Sequence, residues 1–153
     1  MQWLAWIGFV VLCNGAGFLS SLAGGEATIY QQLVQPSWAP PPWLFAPAWI
    51  SLYTLMGTAT YLVWRRCRGE ARRDAMIVFA IQLALNVAWT PVFFGLQRFG
   101  LAVILISFVL AAITAMIVVY YRRVRVAGLM LIPLWLWVAF ATALNASIWA
   151  LNR

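Results

Sequence analysis

The chain has 153 residues, of which 65% are hydrophobic and only 8% are charged, and its mean hydropathy is +0.90. Soluble domains carry roughly 25% charged residues, so this composition excludes a soluble globular domain and indicates an integral membrane protein. The net charge of +7 comes from arginines at the ends of apolar segments, so membrane topology and anionic lipid explain it better than nucleic acid does.

Five uncharged apolar segments follow one another along the chain. They cover residues 3–23, 44–64, 75–96, 101–121 and 126–151. At ~1.5 Å rise per residue, about twenty residues cross the ~30 Å hydrocarbon core, so each segment predicts a transmembrane helix. No internal repeat or second domain is visible. The predicted fold is therefore an all-α integral membrane protein, with residues 1–153 forming a single domain and one bundle of five transmembrane helices.

A loop rich in proline and tryptophan, residues 24–43, joins the first two segments. Five prolines and three tryptophans fall within residues 36–49. Proline fixes φ and lacks an amide donor, so the run Pro40-Pro41-Pro42 predicts a stiff, extended segment. We expect this loop to form a lid at one end of the bundle. Such a lid suits a flat apolar ligand better than it suits a chemical step.

The arginines are distributed unevenly between the two ends of the predicted bundle. Eight of them lie in the loops at residues 65–73 and 122–125, whereas the opposite end holds only Arg98 and Arg153. The positive-inside rule then predicts an N-terminus inside, a C-terminus outside and the loop 24–43 on the outer face. The expected location is a bacterial cell membrane.

The five segments contain no aspartate, glutamate, lysine or arginine, and the chain has no histidine. Ion-coupled transporters usually carry ionisable residues at the bundle centre, so this pattern argues against an ion-driven mechanism. Histidine is the commonest general base and metal ligand. We therefore predict no metal site and no covalent cofactor.

Helical spacing gathers polar and aromatic residues into three stripes. The stripes are Trp49, Tyr53, Met56 and Thr60 on the second segment, Gln82, Asn86, Trp89 and Phe93 on the third, and Trp137, Ala141, Leu144 and Ile148 on the fifth. Lipid offers an amide no hydrogen-bond partner, so Asn86 is expected to direct its stripe into the bundle. The stripes would converge beneath the loop as an aromatic cavity. The same spacing also fits a packed bundle without a ligand, and the pattern alone leaves both open.

Three sequence motifs carry a resemblance to a known family. They are PSWAPPPW with APAWISLYTLMG (residues 36–43 and 46–57), QLALNVAWTPVFFG (82–95) and PLWLWVAFATALNASIWALN (133–152). In this order and spacing the chain resembles the tryptophan-rich sensory protein/translocator protein family, also called the peripheral benzodiazepine receptor family. The resemblance spans almost the whole chain. It implies five helices around a cavity for porphyrins and drug-like ligands, under the first long loop.

The resemblance also implies particular site residues. Pocket-lining positions of the family match Trp49, Asn86, Trp89, Trp137, Ala141 and Leu144, and positions near the lid or wall match Tyr30, Trp38 and Phe93. Two departures matter. Ile29 stands where the family often has a tryptophan linked to light-dependent porphyrin chemistry. Ala146 and Ala150 replace the tyrosine and basic residue of a proposed cholesterol motif, so cholesterol recognition is not expected.

The resemblance implies a receptor or sensor that binds protoporphyrin IX or a related tetrapyrrole and regulates its level or trafficking. An enzyme that degrades protoporphyrin with light and oxygen is the alternative, with Trp49 and Trp137 as its candidate catalytic residues. A porphyrin or small-molecule transporter is a third hypothesis. The expected partners are the hydrophobic ligand and the lipid bilayer, with no nucleic acid.

A stripe of small residues on the third segment predicts an oligomer. Ala80, Ala84 and Ala88 recur every four residues, away from Gln82 and Asn86. Small residues at this spacing let membrane helices approach closely, so we expect a homodimer through this helix. Packing of the alanines within one subunit is the alternative.

Overall fold

The computed structural model describes residues 2–25 and 28–153, and the part of the predicted loop at residues 26 and 27 lies outside them. The described residues form helices and turns without any strand, so the all-α class is confirmed. The helices are α1 (Gln2–Gly24), α2 (Thr28–Gln32), α3 (Phe45–Arg66), α4 (Gly69–Thr90), α5 (Phe99–Arg123), α6 (Arg125–Leu129) and α7 (Ile132–Leu151).

Four stretches are long and apolar enough to cross a membrane: Gln2–Gly24, Gly69–Gly95, Phe99–Arg123 and Arg125–Leu151. The remaining long helix, α3, is not one of them. Its hydroxyl-bearing residues, such as Ser51, Thr54 and Thr58, and its two terminal arginines lower its hydropathy. Four stretches therefore have the length and hydropathy of membrane spans, and the predicted count of five is not confirmed.

The structure differs in detail from three of the predicted segments. Helix α4 begins at Gly69 and not at residue 75. The charged residues of its first turns are unfavourable in the hydrocarbon core of the membrane, but they do not prevent helix formation. The predicted segment 126–151 agrees with the apolar stretch Arg125–Leu151, but the helix is interrupted between α6 and α7. Pro133 lacks an amide donor, and its ring excludes the carbonyl of Leu129 from a helical bond. The loop 24–43 is not wholly extended, since α2 lies within it.

Proline also shapes the end of α4. Pro91 cannot donate to the carbonyl of Val87, and the helix continues as one π-helical turn over Pro91–Gly95. The Ser20 hydroxyl of α1 donates to that Val87 carbonyl at 2.6 Å, so the carbonyl keeps a partner. The wider turn carries Phe93 into a buried position.

The predicted stripes face the interior of the bundle. Nine of their twelve residues are buried, and the other three, Trp49, Trp89 and Trp137, are half-buried against the core. Trp49 stacks on the buried ring of Tyr53. Asp74 at the start of α4 forms an ion pair with Arg123 at the end of α5 (3.3 Å), which brings the two arginine-rich loops to the same end of the molecule. The proline-rich loop lies with the end of α7 at the other.

Candidate functional site

An apolar groove lies between α3 and α7 beneath the proline-rich loop. Its volume is about 600 Å³, and it is a shallow, largely open depression that does not enclose a cavity. The groove is lined by Pro40, Leu44, Ala48, Ser51, Leu52, Leu55, Pro133, Leu136, Trp137 and Phe140. Ligand pockets usually measure about 300–1,000 Å³ and are lined mainly by hydrophobic and aromatic side chains. The groove therefore has the size and the surface chemistry to hold a hydrophobic small molecule.

Five aromatic rings form a continuous row of contacts beside this groove. Tyr30 of the loop packs edge-on against Phe45 with ring centroids 5.2 Å apart, and Phe45 lies 6.0 Å from Trp137. Trp137 lies 5.8 Å from Phe140, and Phe140 lies 5.7 Å from Trp38. The first and last rings of this row thus belong to the loop, and the three between them belong to α3 and α7. The rings therefore connect the loop to the groove walls.

Several buried polar groups have no hydrogen-bond partner among the described residues. They are the indole Nε1 of Trp137, both amide atoms of Gln82 and the Nδ2 atom of Asn86. Gln82 is fully buried and Asn86 is 3% exposed, one turn apart on the inner face of α4. Buried polar groups are nearly always hydrogen-bonded, so groups left without a protein partner are suited to bind a ligand or water.

A second aromatic group surrounds Trp89. The indole Nε1 donates to Oδ1 of Asn145 at 3.0 Å, and the ring stacks on Phe93 with centroids 5.1 Å apart. Phe93 belongs to the same apolar cluster as Tyr30 and Leu144, and Trp89 packs against it. The fold therefore brings four of the nine predicted site residues together between α4, α7 and the loop.

The remaining predicted residues are placed differently. Trp49 stacks on Tyr53 of its own helix with centroids 5.3 Å apart, and Ala141 is buried in the central core. Trp38 is 47% exposed and touches the groove through the lining residue Phe140. Of the nine residues, only Trp137 itself lines the groove. The site thus consists of the groove with flanking clusters, and the nine side chains do not form a single ring around it.

Two aromatic residues of the site were not predicted. Phe45 and Phe140 connect the loop residues to Trp137. Phe140 follows Trp137 by three positions, which is a helical spacing that could have indicated a shared face. Phe45 stands at the first position of α3, where periodicity gives no signal because the helix only begins there.

The loop is tied down at two points. The Tyr30 hydroxyl donates to the carbonyl of Pro40 at 3.2 Å, and burial raises the pKa of this hydroxyl. At the second point, the amide of Val34 donates to Oδ1 of Asn152 at 3.0 Å, and Nδ2 of Asn152 donates back to the carbonyl of Val34 at 2.9 Å. Asn152 thus links the loop to the end of α7.

Replacing Asn152 with leucine should loosen the loop, because both hydrogen bonds to Val34 are lost. Each such bond contributes about 0.5–1.5 kcal/mol, so the local opening equilibrium should rise roughly tenfold. Hydrogen exchange at the Val34 amide measures this opening. Asn152→Asp keeps the acceptor for the Val34 amide and should show a smaller rise. Wild-type exchange rates in the leucine variant would show that the link does not hold the loop.

Comparison with known proteins gives consistent results. A model of the TspO/MBR family matches residues 9–150. The chain is 36% identical to a translocator protein of Sus scrofa, over 99% of this chain and 92% of that protein. It is 36% identical to the protein CrtK of Rhodobacter capsulatus, over 94% and 90%, and 32% identical to a tryptophan-rich sensory protein of Cereibacter sphaeroides, over 99% and 94%.

Proposed function

The chain belongs to the TspO/MBR family of membrane proteins, and on that premise we propose that it is a membrane receptor or sensor for porphyrins and drug-like hydrophobic ligands. Protoporphyrin IX or a related tetrapyrrole is the proposed ligand, and control of tetrapyrrole level or trafficking is the proposed role. The ligand enters the groove between α3 and α7, under the proline-rich loop.

The observation that carries this proposal is the groove with Trp137 in its wall. A porphyrin is a flat, largely apolar ring system, and it matches a groove of about 600 Å³ lined by aliphatic and aromatic side chains. The buried Nε1 of Trp137 lacks a protein acceptor among the described residues. Solvent does not reach this donor in the structure, so a ligand acceptor would pair with it only after neighbouring side chains move; an unpaired buried donor is costly. Gln82 and Asn86 add unpartnered amides deeper in the bundle.

We include α3 as a fifth membrane-spanning helix. Its 22 residues correspond to about 33 Å, which is sufficient for the hydrocarbon core. Its threonine hydroxyls donate to carbonyls four residues earlier, at 2.8 Å for Thr54, Thr58 and Thr60. Hydroxyls paired in this way do not require water, so the lower hydropathy of α3 is compatible with a place in the bilayer.

The same framework gives the orientation. The ion pair between Asp74 and Arg123 brings the two arginine-rich loops together, and they would face the cytoplasm under the positive-inside rule. The proline-rich loop and the C-terminus then lie on the outer face. We propose a bacterial cell membrane as the location.

Tryptophan fluorescence of the purified protein, titrated in parallel with protoporphyrin IX, haem and a sterol, tests the function. A binder of porphyrins shows saturable quenching by protoporphyrin IX and no response to the sterol. Absence of saturable quenching would contradict the proposal. The same titration repeated under illumination distinguishes an enzyme from a binder, because degradation would convert the bound porphyrin to a product with a new absorption band. Directional flux in proteoliposomes would instead favour a transporter.

We further propose a homodimer through α4. Ala80, Ala84 and Ala88 are exposed, on the side of α4 away from the buried Gln82 and Asn86. Small exposed residues at this spacing allow a second copy of the helix to approach closely. The cavities of the two subunits would then face away from the interface.

Replacing Ala84 with leucine should weaken this dimer by about tenfold or more, because the added side chain separates the two helices. Analytical ultracentrifugation in detergent measures the change. Ala111→Leu, at an exposed alanine on α5, is the matched control and should leave the dimer unchanged. If Ala84→Leu and the control have the same dimer affinity, the dimer interface does not include this face of α4.

A further inference from the structure

A second pocket lies at the arginine-rich end of the bundle, remote from the groove. It measures about 310 Å³ and is lined by Gln2, Tyr61, Trp64, Arg65, Arg68 and Arg72. Gln2 begins α1, Tyr61, Trp64 and Arg65 belong to the last turns of α3, and Arg72 lies in the first turns of α4. The pocket therefore combines an aromatic wall with three guanidinium groups where three long helices end or begin.

Two of these guanidinium groups are held in place by one carbonyl. Nε of Arg72 donates to the carbonyl of Cys67 at 3.0 Å, and Nη1 of Arg68 donates to the same carbonyl at 3.2 Å. The Arg72 guanidinium also lies over the Trp64 ring, 4.7 Å from its centroid. The fold thus brings two positive charges close together and leaves other N–H groups of both free to bind a ligand.

No carboxylate neutralises this cluster among the described residues. The ion pairs at this end join Asp74 to Arg73 and Arg123, none of which lines the pocket. Glu70 is near in sequence, but it does not line the pocket and forms no ion pair within the described chain. Like charges held together repel each other, so an anion in this pocket would be bound favourably.

We propose that this pocket binds the phosphate group of an anionic phospholipid. Guanidinium groups match phosphate oxygens with paired hydrogen bonds, and Arg68 and Arg72 are already held in position to do so. The Tyr61 and Trp64 rings supply an apolar wall for the glycerol and upper acyl region of the lipid. The pocket lies at the ends of membrane-spanning helices, where lipid headgroups are concentrated. The pocket shares no lining residue with the groove, so this proposal does not rest on the proposed porphyrin binding.

Native mass spectrometry of the protein in neutral detergent tests this proposal. Wild type should bind dioctanoyl phosphatidylglycerol about tenfold more tightly than dioctanoyl phosphatidylcholine, because the choline cation offsets the phosphate charge and is repelled by the guanidinium groups. The variant Arg68→Gln/Arg72→Gln should lose this preference. The matched control, Arg122→Gln/Arg125→Gln, removes the same charge at the same end, including an arginine that lies over Tyr121, and should retain it.

Equal loss in the two variants would overturn the proposal, because it would mean that the lipid responds only to the net charge of this end. Competition by inorganic phosphate at the same concentration as phosphatidylglycerol would also overturn it, in favour of a soluble anion. If Arg68→Gln/Arg72→Gln fails to fold, the single variant Arg65→Gln takes its place, with Arg122→Gln as its control. Neither side chain has a hydrogen bond or ion pair among the described residues, and only Arg65→Gln should weaken phosphatidylglycerol binding.

Discussion

Replacing Gly57 with valine is expected to disrupt the bundle more than any other single change proposed for this chain. A Cβ atom at position 57 would lie 2.8 Å from the carbonyl oxygen of Phe9 and 2.9 Å from the Cα atom of Val10. These are backbone atoms of α1, which cannot move aside as a flexible side chain can. Helix α1 would have to shift as a whole, so the cost should reach about 3 kcal/mol or more.

The shift would also break the polar contacts between α1 and α3. The indole Nε1 of Trp6 donates to Thr58 at 3.0 Å, and Nδ2 of Asn14 donates to Thr54 at 3.2 Å. Thermal unfolding in detergent measures the loss. Gly15→Val, on α1 with nothing within 4 Å of its added Cβ, is the matched control and should stay near wild type. Equal melting temperatures of the two variants would show that the stability of the bundle does not depend on this close contact between α1 and α3.

Replacing Trp137 with alanine should weaken porphyrin binding by about thirtyfold, since truncating an aromatic side chain that anchors a ligand commonly costs about 2 kcal/mol or more. Trp137 lines the groove and joins Phe45 to Phe140, so its loss removes both a wall and the connection between two rings. Trp137→Phe keeps a ring but lacks the Nε1 donor. Its affinity separates the contribution of the hydrogen bond from that of the aromatic surface.

Fluorescence titration with protoporphyrin IX measures both variants. Trp3→Ala also removes one of the ten tryptophans, from an exposed position on α1, and serves as the control. Helix content and melting temperature of the Trp137 variants must match those of the control. Unchanged affinity in a folded Trp137→Ala protein would remove Trp137 from the site.

The long helices and their inward faces could be predicted because both depend on local properties of the chain. Hydropathy and spacing indicated that Gln82 and Asn86 point inward, and both are buried. The boundaries were less predictable. The charged residues after Gly69 are unfavourable in the hydrocarbon core, but they can still be helical. Pro133 interrupts a segment whose composition is uniformly apolar.

The contacts of the site could be predicted only in part. Spacing placed Trp49 and Trp137 on inward stripes, but it does not determine which ring each will meet in the folded bundle. Trp49 stacks on Tyr53, whereas Trp137 meets Phe45 and lines the groove. The link between Val34 and Asn152 joins residues 118 positions apart, and a pattern of neighbouring residues carries no signal for it.

Photolabelling with a diazirine-bearing protoporphyrin, followed by mass spectrometry of the peptides, tests the location of the ligand most directly. The groove between α3 and α7 predicts adducts within residues 40–55 and 133–140, which unlabelled protoporphyrin IX should suppress by competition. Adducts confined to outward-facing positions such as Phe108 on α5, which is 60% exposed, would contradict a ligand site in this groove.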